Sequence, residues 1–255
     1  MSSYGLWLSA AGMQVNDHRQ ALLANNMANI NTTGFKHDLA VVTQRQIESR
    51  ALAGGQQFAH KVLDEISGGV NVRPSYHSFA QGAIEHTGRP LDVAIQGDGF
   101  LAVSDGAVTR YTRDGELARN RDGELVMVAG EGRWKVVSEG GSTILLAEEG
   151  GPVRISADGT VRQGNTVVDK LGIVSIEDKQ SLRKVGENLF EDPLGMMEPI
   201  EGQLVSEARE RSTFDPMHGL VSLIETSRAY ELNASMVKLH DEMTGIAVSR
   251  VARVA

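Results

Sequence analysis

The chain has 255 residues, of which 41% are apolar, and this is enough for a hydrophobic core in one large domain or two small ones. Its 25 Lys and Arg residues against 33 Asp and Glu residues give a net charge of −8, which weighs against a nucleic-acid binder with a basic face. The absence of cysteine excludes disulfide bonds, thiolate metal sites and cysteine catalysis.

The hydropathy pattern predicts neither a membrane span nor a cleavable signal. No stretch approaches the ~18–20 consecutive apolar residues that a spanning helix needs, so direct membrane insertion is not expected. Polar residues at 16–19 interrupt the N-terminal segment before the apolar region of a signal peptide is complete. A secreted fate would therefore require another export route.

The first 31 residues have helical periodicity. Two faces carry the apolar residues: Leu8, Ala11, Val15 and Leu22 on one, and Leu23, Met27 and Ile30 on the other. Ser2 or Ser3 can cap the start of this helix. Gly34, in the sequence TTGF, tolerates a positive φ and is well placed to end the helix or redirect the chain.

Four asparagines are concentrated near the end of this helix: Asn25, Asn26, Asn29 and Asn31. At helical spacing, Asn29 is three residues from Asn26 and four from Asn25, so a ladder of amides to neighbouring helices or to the loop at Gly34 is one interpretation. Buried amides make up to four hydrogen bonds each and penalise a wrong helix register. The other interpretation is that these residues cap a fraying helix end, where asparagine is favoured. The residues alone leave the two equally supported.

The middle of the chain is typical of an antiparallel β domain. Residues 37–80 fit either a partly helical segment or an extended arm. Beyond them, turn signals recur between short alternating runs at Gly97-Asp98-Gly99, Asp105-Gly106, Asp114-Gly115, Asp122-Gly123 and Asp158-Gly159. The sequence DGEL occurs at 114–117 and again at 122–125, an interval that matches strand–turn–strand repetition.

The C-terminal segment predicts a long helix. Asp215 is placed as its N-cap and Pro216 as its first helical residue. One heptad-spaced stripe contains Leu220, Leu223, Ser227, Tyr230, Ala234 and Val237, and continues at Val248 and Val251. A second stripe, offset by roughly 200°, contains Leu232, Met236, Leu239, Met243 and Ile246. One face can pack on the N-terminal helix, whereas the other needs a partner. The alternative is a long helix that crosses a single globular core.

We find no motif for catalysis or for cofactor or metal binding. The sequence GDGF at 97–100 lacks the third glycine and the following helix of a phosphate loop and is better explained as a β-turn. Asp114, Glu116, Asp122 and Glu124 do not have the spacing of a calcium loop and are expected at solvated hairpin tips. The seven histidines form no two-histidine metal motif. A glycosidase with paired carboxylates stays open, although the aromatic content of 5% is low for a sugar site.

Five motifs, in order along the chain, resemble the flagellar axial proteins, and in particular the larger rod subunits. They are LLANNMANINTTGFK at 22–36, LDVAIQGDGFLAV at 91–103, YTRDGEL at 111–117, VGENLF at 185–190 and IETSRAYELNASMVKLHDEM at 224–243. The resemblance therefore extends over the whole chain. One departure is the sequence SEARERSTFDPM at 206–217, which lacks the Ser-Asn-Val stretch common in this family.

The resemblance implies a structural protein without enzymatic activity or a cofactor. Its members polymerise helically into the hollow drive shaft of the bacterial flagellum and are exported unfolded by the flagellar type III apparatus, without a cleaved signal peptide. The implied partners are copies of this chain, other rod and hook subunits and the export apparatus, and the implied location is the periplasmic rod of the basal body. TGRPLDVAI at 87–95 favours the proximal over the distal rod type.

The expected fold class is α+β. N- and C-terminal helices form a coiled-coil or helical tube domain, and the middle domain is mostly antiparallel β. The expected segments are residues 1–36 (N-terminal helix), 37–80 (connecting arm), 81–205 (β domain) and 206–255 (C-terminal helix). Without partners, the terminal helices of a monomer are expected to be disordered.

The resemblance favours an interface role for the asparagines. The expected subunit interface consists of Asn25, Asn26, Asn29, Asn31, Phe35, Leu220, Leu223, Tyr230, Leu232, Met236, Leu239 and Met243. Phe35 is expected to anchor the chain as it leaves the helix. The alternative function is a soluble β-rich binding module or carbohydrate-active enzyme with a long accessory helix, which would keep its activity if residues 216–255 were deleted.

Overall fold

In a computed structural model of the chain, residues 2–44 and 69–251 are described. The chain divides into two compact units. The helical unit draws on residues 1–28, 38–76 and 215–255, and the β unit on residues 29–37 and 77–214. The β unit thus extends beyond the expected range of 81–205 at both ends, and it includes the TTGF segment, which was expected to belong with the first helix.

Both predicted helices are present in the helical unit. Helix α1 spans Ser2–Ala28 and helix α2 spans Pro216–Val251. Two strands, β1 (Asp38–Gln44) and β2 (Val70–His77), pair in a small sheet. The ends of the expected connecting arm are therefore extended rather than helical. Its central part, residues 45–68, lies outside the described residues.

Helix α2 begins where the cap was predicted. The Asp215 carboxylate accepts a hydrogen bond from the Met217 amide at 2.9 Å, and its backbone carbonyl accepts one from the Gly219 amide at 2.9 Å. Pro216 is the first helical residue, a position where its missing N–H is not needed. Helix α1 ends three residues earlier than expected, since the Thr32 amide donates to the Asn29 carbonyl and closes a turn.

The β unit is built from short strands. They are β3 (Ile84–His86), β4 (Val93–Gln96), β5 (Phe100–Ser104), β6 (Thr109–Thr112), β7 (Leu117–Arg119), β8 (Leu125–Met127), β9 (Lys135–Val136), β10 (Val153–Ile155), β11 (Thr160–Gln163), β12 (Thr166–Lys170), β13 (Ile173–Ser175), β14 (Arg183–Gly186), β15 (Leu189–Glu191), β16 (Glu198–Pro199), β17 (Gln203–Ser206) and β18 (Ala208–Glu210). A short 3₁₀ helix spans Lys179–Ser181.

The main sheet has nine strands. Seven follow the order β14-β15-β6-β5-β9-β8-β7, and β13 joins at β5 and carries β16. A three-stranded sheet has the order β10-β11-β12, and the pairs β17-β4 and β18-β3 complete the unit. The residue pairing recorded for these strands is antiparallel, which confirms the predicted class of the middle domain.

The core of the β unit consists of two apolar clusters. The larger one includes Val93, Leu101, Leu125, Val136 and Leu189, each almost completely buried. The smaller one is aromatic. Phe100 lies 5.6 Å from Phe190 and 5.8 Å from Phe79, measured between ring centroids. The β unit therefore buries apolar surface on the scale that stabilises a domain.

Three of the predicted Asp-Gly hairpins are confirmed. The turns at Asp105, Asp122 and Asp158 connect the antiparallel pairs β5–β6, β7–β8 and β10–β11. The Asp105 carboxylate accepts hydrogen bonds from the amides of residues 107 and 108, as expected for an Asx turn. Residues 97–99 form a bend between β4 and β5, and no helix follows.

The hairpin prediction is wrong at Asp114-Gly115. Asp114 is buried, and β6 and β7, which flank this turn, pair with other strands. The turn lies against β4: the Val93 amide donates to the Gly115 carbonyl at 2.9 Å, and a Cβ added to Gly115 would lie 1.7 Å from the Val93 oxygen. Glycine is thus required at position 115 because the Val93 backbone lies too close for a side chain. It is not required because the turn is a solvent-exposed hairpin tip. Burial raises the pKa of Asp114 to about 7.

This raised pKa predicts a pH-dependent stability. Because the pKa of Asp114 is higher in the folded chain than the ~3.9 of an unfolded one, the β unit loses stability as the pH rises from about 4 to about 7. Asp114→Asn keeps the acceptor for the Glu116 amide and carries no charge. We expect it to be more stable than the wild type at pH 8, by up to roughly 4 kcal/mol, and equal to it at pH 4.

Urea unfolding in a Trp7→Phe background, followed by the fluorescence of Trp134, measures this difference in the β unit alone. Asp122→Asn at an exposed tip is the matched control and should leave the pH profile of the wild type unchanged. A wild-type profile for Asp114→Asn would contradict the assignment.

Candidate assembly interface

The two terminal helices pack antiparallel within the helical unit. Gly5 lies against His240 and Gly12 against Asn233. Residues of the first predicted stripe of α2, among them Leu223, Tyr230 and Val237, are half-buried. Leu220, from the same stripe, is 49% exposed. The expectation that one face of the long helix packs on a helix of its own chain is therefore confirmed.

The seam between these helices buries few apolar side chains fully. Val15 is the one apolar side chain that is fully buried in the described part of the helical unit. Polar side chains occupy the other buried positions of α1: Ser9, Asn16 and Asn26. Such a seam supplies little hydrophobic stabilisation compared with the clusters of the β unit.

The second predicted stripe of α2 faces solvent. It consists of Leu232, Met236, Leu239, Met243 and Ile246, whose side chains are 45–68% exposed. Val221 extends the exposed apolar surface toward the start of the helix. At ~1.5 Å per residue, the 36 residues of α2 form a rod of roughly 54 Å, and much of its length presents this face. We call these five residues the exposed stripe. A contiguous exposed apolar surface of this kind is typical of a protein–protein interface.

The four asparagines have different environments. Asn25 and Asn31 are exposed, Asn29 is half-buried and Asn26 is buried. Because α1 ends at Ala28, Asn29 and Asn31 lie beyond the helix, and a ladder of amides to neighbouring helices stays a prediction. The Asn29 side chain accepts a hydrogen bond from the Thr32 hydroxyl at 3.1 Å.

Asn26 is bonded within its own chain. Its side-chain NH₂ donates to the Asp38 carbonyl at 2.7 Å, and its side-chain oxygen accepts from the Asp38 amide at 2.9 Å. These two hydrogen bonds have the pattern of a residue paired across a β-sheet. They hold Asp38, the first residue of β1, against the last turn of α1. In this structure Asn26 therefore has an internal role.

Phe35 also lies inside the chain. It is buried, and the Lys184 ammonium sits 4.3 Å from the centroid of its ring. Its backbone carbonyl accepts a hydrogen bond from the Thr213 amide at 3.1 Å, and the neighbouring Gly34 amide donates to the Glu210 carbonyl at 2.7 Å. Gly34 has the expected positive φ of 65°, and a Cβ there would lie 2.4 Å from the Arg113 carbonyl oxygen. Phe35 thus anchors the segment that follows α1 in the β unit.

A buried ion cluster holds the same segment. The Lys36 ammonium donates to a Glu210 carboxylate oxygen at 2.6 Å and to the Ala80 carbonyl at 2.7 Å. Arg113 lies 3.6 Å from the other Glu210 oxygen, and all three charged side chains are almost completely buried. Burial lowers the pKa of Lys36, and the Glu210 carboxylate opposes that shift. A charge this deeply buried is stable only when it is paired.

Sequence reasoning missed this cluster. Lys36 closes the first of the five motifs and Glu210 lies in the segment that departs from the family pattern, but 174 residues separate them. No local pattern shows that two such distant residues meet. The one available signal was a lysine that directly follows a glycine and a phenylalanine.

The described residues show no other chemistry of note. Among them, no three His, Asp or Glu side chains are grouped so that they could hold a metal ion. Neither α1 nor α2 has an apolar stretch long enough to cross a bilayer. At the start of α2, the hydrogen bond to Asp215 raises the pKa of His218, and the same bond lowers the pKa of Asp215.

The ion cluster gives a direct stability prediction. Lys36→Met leaves the Glu210 carboxylate buried without its closest partner, and we expect the β unit to lose about 3–5 kcal/mol of unfolding free energy. Urea unfolding in the Trp7→Phe background measures it through Trp134. Lys170→Met removes an exposed partner of Glu139 and is the matched control, with little expected change. Equal small losses for the two variants would contradict a stabilising role for the cluster.

Comparison with known proteins gives the family of the chain. Family models match at residues 9–36 (flagella basal body rod protein), 94–163 (flagellar hook protein FlgE/F/G D1 domain) and 205–250 (flagellar basal body rod FlgEFG protein C-terminal). The chain is 35% identical to the flagellar basal-body rod protein FlgF of Caulobacter vibrioides, over 91% of both chains.

Related FlgG proteins match over a similar length. The chain is 30% identical to FlgG of Agrobacterium fabrum, over 94% of this chain and 97% of the relative, and 29% identical to FlgG of Buchnera aphidicola, over 93% and 96%. These are flagellar basal-body rod proteins, a structural and non-enzymatic family. The chain therefore belongs to the flagellar basal-body rod protein family.

Proposed function

We propose that this chain polymerises helically through its terminal helices to form part of the hollow, torque-transmitting rod of the flagellum. Its partners are copies of itself and other rod and hook subunits. We include in the proposal export through the flagellar export apparatus without a cleaved signal peptide, and a periplasmic location.

The observation that carries the proposal is the contrast between the two units. The β unit has its own apolar core, whereas the described part of the helical unit buries a single apolar side chain completely, that of Val15. Isolated helices are marginal in water, and in proteins their stability comes from the packing of an apolar face. The helical unit therefore requires neighbouring molecules that cover its apolar surface.

The exposed stripe is the surface we assign to those neighbours. It lies on the side of α2 opposite to the half-buried face, so both faces of the helix are used once a second molecule binds. When the stripe of one copy binds a different surface of the next copy, the contact is heterologous, and repetition generates an open helical filament. Of the asparagines, the exposed Asn25 and Asn31 are the ones we keep in the proposed interface.

We further propose the proximal rod position, which is supported by the resemblance at residues 87–95. This segment also has an internal role, because the Thr87 hydroxyl donates to the Asp92 carboxylate at 2.7 Å. Imaging of isolated basal bodies, with an antibody against the β unit, tests the position. Labelling confined to the distal part of the rod would overturn it.

Hydrogen exchange of the free chain tests the requirement for neighbours. In a dilute monomer, we expect amides of residues 5–28 and 216–249 to exchange fast and those of the β unit to be protected. The boundary should fall between Asn29 and Gly34, since the Gly34 amide is bonded to the Glu210 carbonyl. Isolated rods should show protection of both helices. Protected helices in a monodisperse monomer would contradict the proposal.

Charge in the exposed stripe tests the interface itself. Met236→Asp with Leu239→Asp places two carboxylates where apolar burial is proposed, and burying unpaired charge is strongly unfavourable. We expect loss of rods from basal-body preparations and loss of swimming, with unchanged unfolding of the β unit. Lys238→Asp, on the same turn but off the stripe, is the control and should retain rods. Normal rods with the double variant would refute the assigned surface.

A further inference from the structure

Helix α1 carries two glycines that face polar side chains of α2. Gly5 and Gly12 are one heptad apart, and so are their opposing residues, His240 and Asn233. Glycine is among the poorest helix formers, so two of them inside a helix weaken it. Their position in the seam between α1 and α2 explains why glycine is present there despite its low helix propensity.

At both positions an added methyl group would meet the facing side chain of α2. A Cβ added to Gly12 would lie 2.9 Å from the Asn233 side-chain oxygen, and one added to Gly5 would lie 2.6 Å from two atoms of the His240 ring. Asn233 is held in place, because its NH₂ donates to the Ala229 carbonyl at 2.8 Å. The Nδ1 atom of His240 is itself buried. Each glycine is thus a notch that one polar side chain fills.

The two filled notches correspond to a single antiparallel stagger. If α1 slipped by one heptad in one direction, Gly12 would receive His240, but Asn233 would face the Cβ of Arg19. A slip in the other direction would place Asn233 at Gly5 and Thr226 at Gly12, so neither glycine would keep its own partner. Either slip moves the helices by about 10 Å relative to each other. A seam with few buried apolar side chains does not by itself exclude such slips.

We propose that the Gly5–His240 and Gly12–Asn233 notches are a register key that sets the stagger of α1 on α2. The key determines which turns of α1 lie at the same level as each part of the exposed stripe, and so the composite surface that a neighbouring molecule meets. This inference rests on the proposed function for its consequence in assembly. The pairing of each glycine with one partner is supported by the contacts between α1 and α2 and does not depend on the proposed function.

A size-exchange experiment in the full chain, expressed from its own locus, tests the key. We expect Gly12→Ala to reduce the number of rods per preparation by about tenfold, because overpacking of this size is destabilising. Adding Asn233→Ala should restore rods, since it returns the space, whereas adding His240→Ala should not. Gly5→Ala should show the reverse pattern, with rescue by His240→Ala and none by Asn233→Ala.

Gly245→Ala is the matched control. Gly245 is also inside a helix, but a Cβ there meets no atom within 4 Å, so this variant should assemble normally. If the glycines were needed only for backbone flexibility, no substitution in α2 would restore rods to the Gly→Ala variants. Normal rods with Gly12→Ala, or rescue by either alanine alike, would overturn the key. Met236→Asp with Leu239→Asp in parallel separates the cases: if only that variant loses rods, the key fails and the proposed function stands.

Discussion

The contact between Lys36 and Glu210 is the constraint on which the two ends of the β unit depend. These residues follow and precede the two terminal helices in the sequence, 174 positions apart, and their side chains meet where no water screens the charges. Backbone hydrogen bonds from Gly34 to Glu210 and from Thr213 to Phe35 run beside the ion pair. Residues from both ends of the β unit thus meet in one closely bonded region. A buried ion pair contributes more to specifying a single arrangement than to net stability, and this one specifies which segments lie together.

The β unit contains the stable folded core, whereas the helical unit carries the surface that we propose for association. The β unit buries two apolar clusters and satisfies its turns locally, so its stability does not depend on other molecules. Apart from Val15, the described part of the helical unit leaves its large apolar side chains exposed or half-buried, and the other buried positions of α1 are polar. That distribution is unfavourable for an isolated helix pair but suitable for a subunit that becomes ordered when it assembles. Order at the chain ends is then coupled to the concentration of partners.

Local signals in the sequence were sufficient for much of this fold. An Asp-Pro pair marked the start of α2, heptad spacing separated its packed and exposed faces, and Asp-Gly pairs located three hairpins. The same Asp-Gly signal failed at Asp114, because the sequence does not reveal that β4 packs on that turn. The helical spacing of the asparagines also misplaced the end of α1, because the turn at Asn29 ends the helix at Ala28. The buried pairing of Lys36 could not be predicted, because its partner Glu210 lies 174 residues away and outside any local window of sequence.

Several hairpin tips of the β unit are open, and this has a consequence for how such a chain can enlarge. At Gly106 and Gly141, and in the loop at Gly195 between β15 and β16, no atom lies within 4 Å of an added Cβ. The free energy of closing a loop grows by only about 0.6 kcal/mol for each doubling of its length. A whole extra domain grafted at one of these tips would therefore leave the sheet order, the ion pair and both helices unchanged. Longer relatives can arise by such grafts while the proposed assembly surface stays the same.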